Sequence, residues 1–332
     1  MKRKIGVLSL GGTISMREAS SGGIVPTLSG EELLEQFGVA DPCLEVSVLS
    51  LRSLASAQLK VTDLLELAAK ARELAPDVDG IVVTQGTDTI EETAFALDLW
   101  GPCDVPVVVT GAMRHPDAPG SDGAANFRDS IMAVSCESLV GLGAVVVMDG
   151  ELHAARYVTK RHTATVRAFG SSPSGILGWV KEGSVDVLVD GLRPQLSSFA
   201  LPCPRSHLPE VAVLKSWVGD DGRLASKLPE MGYAGVVVEG MGGGHVHPRA
   251  AESLEALCRE MPVVISTRVV GSHVLRNTYG FIGSEIDLHR RGVMLGGWLT
   301  TGKLHLLMTA VLGTTPPSDY DFRQALQPFG GG

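Results

Sequence analysis

Aromatic residues are scarce in this sequence, at 5% of 332 positions, and no tyrosine precedes Tyr157. The core must therefore come from aliphatic side chains, and with 44% hydrophobic residues there are enough of them for two domains of ordinary size. Long apolar runs are missing as well. No uninterrupted segment approaches the roughly 18 residues of a membrane-spanning helix, so no membrane partner is expected. Basic blocks are absent beyond Lys2-Arg3-Lys4, and 28 basic against 37 acidic residues leave a net charge of −9, which excludes nucleic acid as an expected partner.

The cysteines, Cys43, Cys103, Cys136, Cys203 and Cys258, are odd in number and have no C-x-x-C spacing. That pattern excludes a disulfide framework and a thiolate zinc site, and it fits a reducing cytoplasm. His245-Val246-His247 lacks a third ligand at a recognisable spacing and reads as loop histidines. Gly240 to Gly244 lacks both G-x-G-x-x-G and a P-loop lysine, and no G-x-S-x-G elbow occurs. No metal or cofactor is expected. The charged front of Met1 to Leu10 is followed by too short an apolar run, broken at Gly11-Gly12, to be a signal peptide, so Lys4 to Leu10 reads as a first strand.

What the chain does have is alternation. Short apolar runs at Val46–Leu51, Gly80–Thr84, Val105–Val109 and Ala144–Met148 are separated by stretches with helical periodicity, such as Leu64, Leu67, Ala68, Ala71 and Leu74. This predicts an α/β fold with a larger N-terminal, mostly parallel sheet covered by helices. Met16 to Leu28 has no periodicity and reads as a mobile loop, and Ser29 with Glu32 reads as a helix cap. Pro202, Pro204 and Pro209 mark a linker. The expected division is a catalytic domain at 1–193, a linker at 194–209 and a smaller C-terminal α/β domain at 210–332, with strands near Val211, Val236 and Val263 and a helix from Pro248 to Glu260.

The most informative stretch runs from Gly80 to Thr93. An apolar β-branched run ends in Gln85-Gly86-Thr87-Asp88, and an apolar-periodic helix follows, with Thr89 and Glu92 spaced as a capping box. Thr87 and Asp88 therefore belong at a strand-to-helix turn, where backbone N–H groups and the helix dipole favour a carboxylate or a developing oxyanion. Gly11-Gly12-Thr13 ends the first strand in the same manner, its glycines allowing close approach to a ligand.

Gly11-Gly12-Thr13-Ile14, Thr84-Gln85-Gly86-Thr87-Asp88-Thr89, Gly111-Ala112-Met113-Arg114 and Val158-Thr159-Lys160 together resemble the motifs of the bacterial-type asparaginases, in the same order and over nearly the whole chain. The resemblance implies amidohydrolase activity. A threonine hydroxyl attacks a side-chain amide, ammonia leaves, and water resolves the acyl-enzyme. It implies Thr13 as nucleophile and Thr87, Asp88 and Lys160 as a second constellation, with Lys160 easing deprotonation of Thr87. Which threonine is acylated stays open. Gly12, Gly86 and Ala112 would line the substrate site, with N–H groups around Thr87 and Ala112 for an oxyanion. Ser56 resembles the serine that grips the substrate α-carboxylate.

Three departures bear on substrate. The tyrosine usual on the loop after the first threonine is absent; Ala57 separates Ser56 from Gln58; and His245 and His273 fall where a neighbouring subunit would lend an asparagine and a glutamate. Imidazoles are weaker partners for a substrate ammonium, which points to a peptide-borne or modified amide beside free asparagine. A homodimer or homotetramer with sites between subunits is implied. Two further readings are an amidase subunit of a tRNA-dependent amidotransferase and a non-catalytic amino-acid sensor. The first usually carries an additional N-terminal module, whereas Gly11-Gly12-Thr13 stands almost at the start here. The second has no use for the lysine that activates a hydroxyl.

Overall fold

The computed structural model describes residues 2–12, 42–188, 208–314 and 322–332, with the backbone of Met16–Glu18 and Ile24–Pro26. It divides into two compact units, Met1–Ala200 and Leu201–Gly332. Most of the expected linker, the Ser29–Glu32 cap and Thr13 lie outside the described residues.

In the first unit the strands are β1 (Arg3–Ser9), β2 (Met16–Glu18), β3 (Ile24–Pro26), β4 (Leu44–Ser50), β5 (Gly80–Thr84) and β6 (Val107–Thr110). They are followed by β7 (Ala144–Met148), β8 (Glu151–Ala154), β9 (Val158–Lys160), β10 (Phe169–Ser171), β11 (Gly178–Lys181) and β12 (Ser184–Val187). Eight form one sheet in the order β12-β11-β8-β7-β6-β5-β1-β4. The contiguous set β4, β1, β5, β6 and β7 is parallel, and the β7-β8-β11-β12 edge is antiparallel. The apolar runs pay no penalty for lacking alternation, because β5, β6 and β7 are buried at every residue. Val7, Val82, Val108 and Val145 pack with Phe127 and Ile131 of the helix Gly123–Val134. The helix Val61–Leu74 buries the predicted face of Leu64, Leu67, Ala68 and Ala71 and packs with the helix Ile90–Trp100.

The parallel part fixes where a ligand belongs. Its order places β4 and β5 on either side of β1, so the connection from β1 runs to one side and the connection from β4 crosses back to the other, and the crevice beyond the carboxyl ends of β1 and β5 is a topological switch point. Part of the aperiodic Met16–Leu28 stretch proves to be regular, since β2 and β3 pair antiparallel with Met16 opposite Pro26.

The capping box does not form. Thr87–Thr89 is a 3-10 turn ahead of the helix Ile90–Trp100, and Thr89 makes no side-chain cap. Its hydroxyl instead donates to the Ser56 carbonyl, 3.2 Å away. A tertiary partner thus outcompetes the local cap.

In the second unit, β13 (Val211–Lys215), β14 (Gly235–Gly240), β15 (Val263–Thr267) and β16 (Met294–Leu295) form a wholly parallel sheet in sequential order. The helix Pro248–Leu257 buries Ala250, Ala251, Leu254 and Leu257 against it. Among the described residues no helix is long and apolar enough to cross a membrane.

Candidate active site

Four loops at the carboxyl ends of parallel strands meet at the switch point. After β1, Gly11 and Gly12 adopt φ values of 96° and 90°, open to glycine without strain. A Cβ on Gly12 would lie 1.8 Å from the Gly86 nitrogen, so the loops after β1 and β5 are in backbone contact. After β4, the 3-10 turn Ser56–Gln58 buries Ser56, whose Oγ accepts the Asp88 N–H at 3.2 Å. Gly86 faces that serine, and a Cβ there would come within 2.7 Å of Ser56 Oγ. After β6, Gly111 lies against Gln85 and Thr87, and Ala112 is fully buried.

Lys160 arrives from β9, outside the main sheet. Its Nζ donates to Thr87 Oγ1 at 2.9 Å and to Asp88 Oδ1 at 2.8 Å. Thr87 is buried, Lys160 half-buried and Asp88 exposed. The three groups form a chain from water inward: a solvated carboxylate, an ammonium, and a hydroxyl that receives one of the ammonium protons. A cation so placed lowers the cost of turning the Thr87 hydroxyl into an alkoxide.

The structure therefore gathers Gly12, Ser56, Gly86, Thr87, Asp88 and Lys160, with Ala112 next to Gly111 on the same loop. Gln58 is exposed on its 3-10 turn. His245 and His273 lie in the second unit. His245 Nε2 stands 3.0 Å from Glu285 Oε2, and its ring meets Tyr279 and Phe281 edge-on at 5.2 and 5.1 Å. The other Glu285 oxygen accepts the N–H groups of Thr278 and Tyr279, both at 2.7 Å. Burial opposes ionisation of Glu285, but these N–H groups and the His245 ring outweigh it and hold the carboxyl below its ordinary range. His273 packs on Trp298 with ring centroids 4.2 Å apart. His247 is no partner to His245, because its ring accepts the Arg249 N–H and caps the helix Pro248–Leu257.

Two family models match this chain: "Asparaginase, N-terminal" over residues 4–191 and "Glutaminase/Asparaginase C-terminal domain" over residues 210–325. The chain belongs to the asparaginase family. It is 32% identical to an L-asparaginase of Bacillus licheniformis over 318 residues, 95% of this chain and 97% of that protein. It is 33% identical to a probable L-asparaginase of Deinococcus radiodurans over 325 residues, 93% of this chain and 92% of that protein. Its fold is similar to the crystal structure of a probable cytoplasmic L-asparaginase from Campylobacter jejuni, with a TM-score of 0.85, 28% identity and 99% of each chain covered.

Within this asparaginase-family fold, several polar residues that sequence reasoning passed over hold the site loops. Asp122 accepts the N–H groups of Met113 and Arg114 at 3.0 and 2.9 Å, and Asn126 Nδ2 donates to the Gly111 carbonyl at 3.0 Å. Asp122 and Asn126 are one helical turn apart, a visible spacing, but their partners on the Gly111 loop become apparent only once β6 and the following helix are folded together. Glu91 accepts the Lys160 N–H at 3.3 Å. Glu285, the carboxylate behind His245, follows the Ser284 helix cap and has no motif of its own.

Proposed function

We propose that this protein is an asparaginase-type amidohydrolase that converts the side-chain amide of asparagine to the carboxylate and ammonia through a threonine acyl-enzyme. The observation that carries the reading is the Lys160 ammonium held between Thr87 Oγ1 and Asp88 Oδ1. In the first step a threonine oxygen forms a bond to the amide carbon, the hydroxyl proton is removed, and the C–N bond breaks as ammonia departs with a proton. In the second, water adds to the acyl carbon and releases the threonine. Thr13 and Thr87 are the two hydroxyls assigned to this chemistry, with Lys160 and Asp88 acting on Thr87. Gly12, Ser56, Gln58, Gly86 and Ala112 bind substrate.

The working protein is a cytoplasmic homodimer or homotetramer whose catalytic domain is 1–193. The oligomer is tested by light scattering of the purified protein. A second substrate class, amino-blocked or peptide-borne asparagine, is favoured by His245. Its Nε2 is committed to the Glu285 carboxylate, and an imidazole then stands where, by the resemblance, an asparagine or glutamate oxygen would accept a free ammonium.

The test is ammonia release from L-asparagine, D-asparagine, L-glutamine and a peptide asparagine, with Thr13→Ala and Thr87→Ala as controls. Turnover of L-asparagine that both substitutions abolish is the expected result. Turnover confined to the peptide amide moves the second substrate class forward, and silence on every amide refutes the reading.

A further inference from the structure

Lys160 does not belong to the eight-stranded sheet. Among the described residues its strand, β9, forms a separate two-stranded sheet with β10, with Val158 opposite Ser171 and Lys160 opposite Phe169. A side chain on so small a hairpin needs an external mount, because two strands alone are marginally stable in water. Beside the Glu91 carboxylate that accepts the Lys160 N–H, a mount is visible one strand earlier in the chain. Glu151 and His153 are two residues apart on β8 and therefore project from the same face of the main sheet. His153 Nδ1 lies 3.0 Å from Ser171 Oγ, and Glu151 pairs with Arg167 in the hairpin turn.

The roles in this chain follow from its charges. Burial, and then Arg161 and Arg167, lower the His153 pKa to about 4, so the ring is neutral at neutral pH. Glu151 Oε2 lies 3.6 Å from His153 Nε2, which favours the proton on Nε2. Nδ1 is then an acceptor, and the Ser171 hydroxyl donates to it. His153 is 1% exposed and Ser171 7%, so neither group can exchange this partner for water. A buried serine, histidine and carboxylate in a row resemble a nucleophilic triad. The low basicity of His153 makes it useless as a base towards Ser171, and the arrangement is a tether.

We propose that Glu151, His153 and Ser171 are positioning residues for the amide hydrolysis, fixing β10, and through its ladder β9, so that the Lys160 ammonium stays within reach of Thr87 and Asp88. This rests on the reading of Lys160 given above. Misplacing a catalytic group by about 1 Å costs on the order of a hundredfold in rate, so the tether acts on kcat.

The experiment compares His153→Leu, Ser171→Ala and Ser171→Thr with wild type and with Lys160→Met. It measures ammonia release from the best amide substrate, hydrogen exchange of the 158–171 peptide, and thermal unfolding. The expected result for His153→Leu and Ser171→Ala is a ten- to hundredfold fall in kcat, by the order of magnitude above. KM should stay within about threefold, as for a group that acts only on the chemical step. Exchange in 158–171 should rise, and Ser171→Thr, which keeps the hydroxyl, should restore both readouts. Ser171→Ala carries the test alone if His153→Leu does not fold. Unchanged kcat in a protein that Lys160→Met inactivates overturns the proposal. So does a loss in which kcat, KM and melting temperature all move together. Full activity of Lys160→Met refutes the assigned role of Lys160, and the positioning role with it, whereas the exchange data then still report whether the tether holds the hairpin.

Discussion

Replacing Lys160 by methionine removes the charge while keeping most of the side-chain length, and the structure predicts a large loss of rate with little change in stability. The ammonium is 2.9 Å from Thr87 Oγ1. At an effective dielectric constant of about 20, a unit charge at that separation from an alkoxide is worth at most about 6 kcal/mol. Asp88, 2.8 Å from the same ammonium, cancels part of it. A loss of about 3–4 kcal/mol, the usual cost of removing one group that stabilises developing charge, is the working figure, and it corresponds to a fall in kcat of roughly a hundred- to a thousandfold. Stability should hardly change. The Asp88 side chain is 66% exposed, so the carboxylate left behind is solvated, and an ion pair of this exposure contributes under about 1 kcal/mol. The assay is coupled ammonia release at saturating substrate, with a melting curve on the same sample. A Lys160→Met protein whose kcat stays within tenfold of wild type would refute the assignment.

Acidification should weaken the fold through His153. Its folded pKa, about 4, lies below the ordinary 6.5, so between these values the unfolded chain binds more protons, and stability falls as pH is lowered. The contribution is about 3 kcal/mol over that interval, and the slope of urea-unfolding free energy from pH 6.5 to 4 should flatten in His153→Leu. Glu285 has the sign of a depressed carboxyl. Its stabilisation is present above the ordinary value of 4.5 and is lost as pH falls through the folded pKa. Glu285→Gln should cost about 1–3 kcal/mol at neutral pH in chemical denaturation, since a charged acceptor is lost to two N–H groups and His245. Gly12→Ala meets both a φ of 90° and the Gly86 nitrogen. It should lower the melting temperature and abolish ammonia release, whereas Gly141→Ala, which shares a positive φ of 78° but has open space around it, should cost some stability and leave turnover intact.

The parallel sheet was legible because its strands are buried on both faces, so that β5, β6 and β7 appear as unbroken apolar runs. Gly12, Thr87, Asp88 and Lys160 were legible as motifs. The Thr89 cap was misread because Ser56, thirty-odd positions earlier in the chain, offers its carbonyl to the same hydroxyl. A local pattern carries no information about a partner brought in by another strand. The same limit hides Asp122, Glu91 and His153, each an ordinary polar residue whose partner lies on another element. β2 and β3 were missed because three residues are too few for a period to register.

These long-range ties also narrow where an oxyanion could be stabilised. The Asp88 N–H is given to Ser56 Oγ, and the N–H groups of Met113 and Arg114 are given to Asp122. An N–H fixed on a protein acceptor is a poor donor to a transient charge, because the bond must break as the charge forms. On the function proposed above, the loops after β5 and β6 would supply Thr87 and Ala112, whose segments touch where Gly111 packs on Thr87. The side chains that anchor the loops thus also select the donors. Asp122 holds the Ala112 loop by the residues that follow it, so on the function proposed above Asp122→Ala should lower kcat for ammonia release without touching a reacting atom.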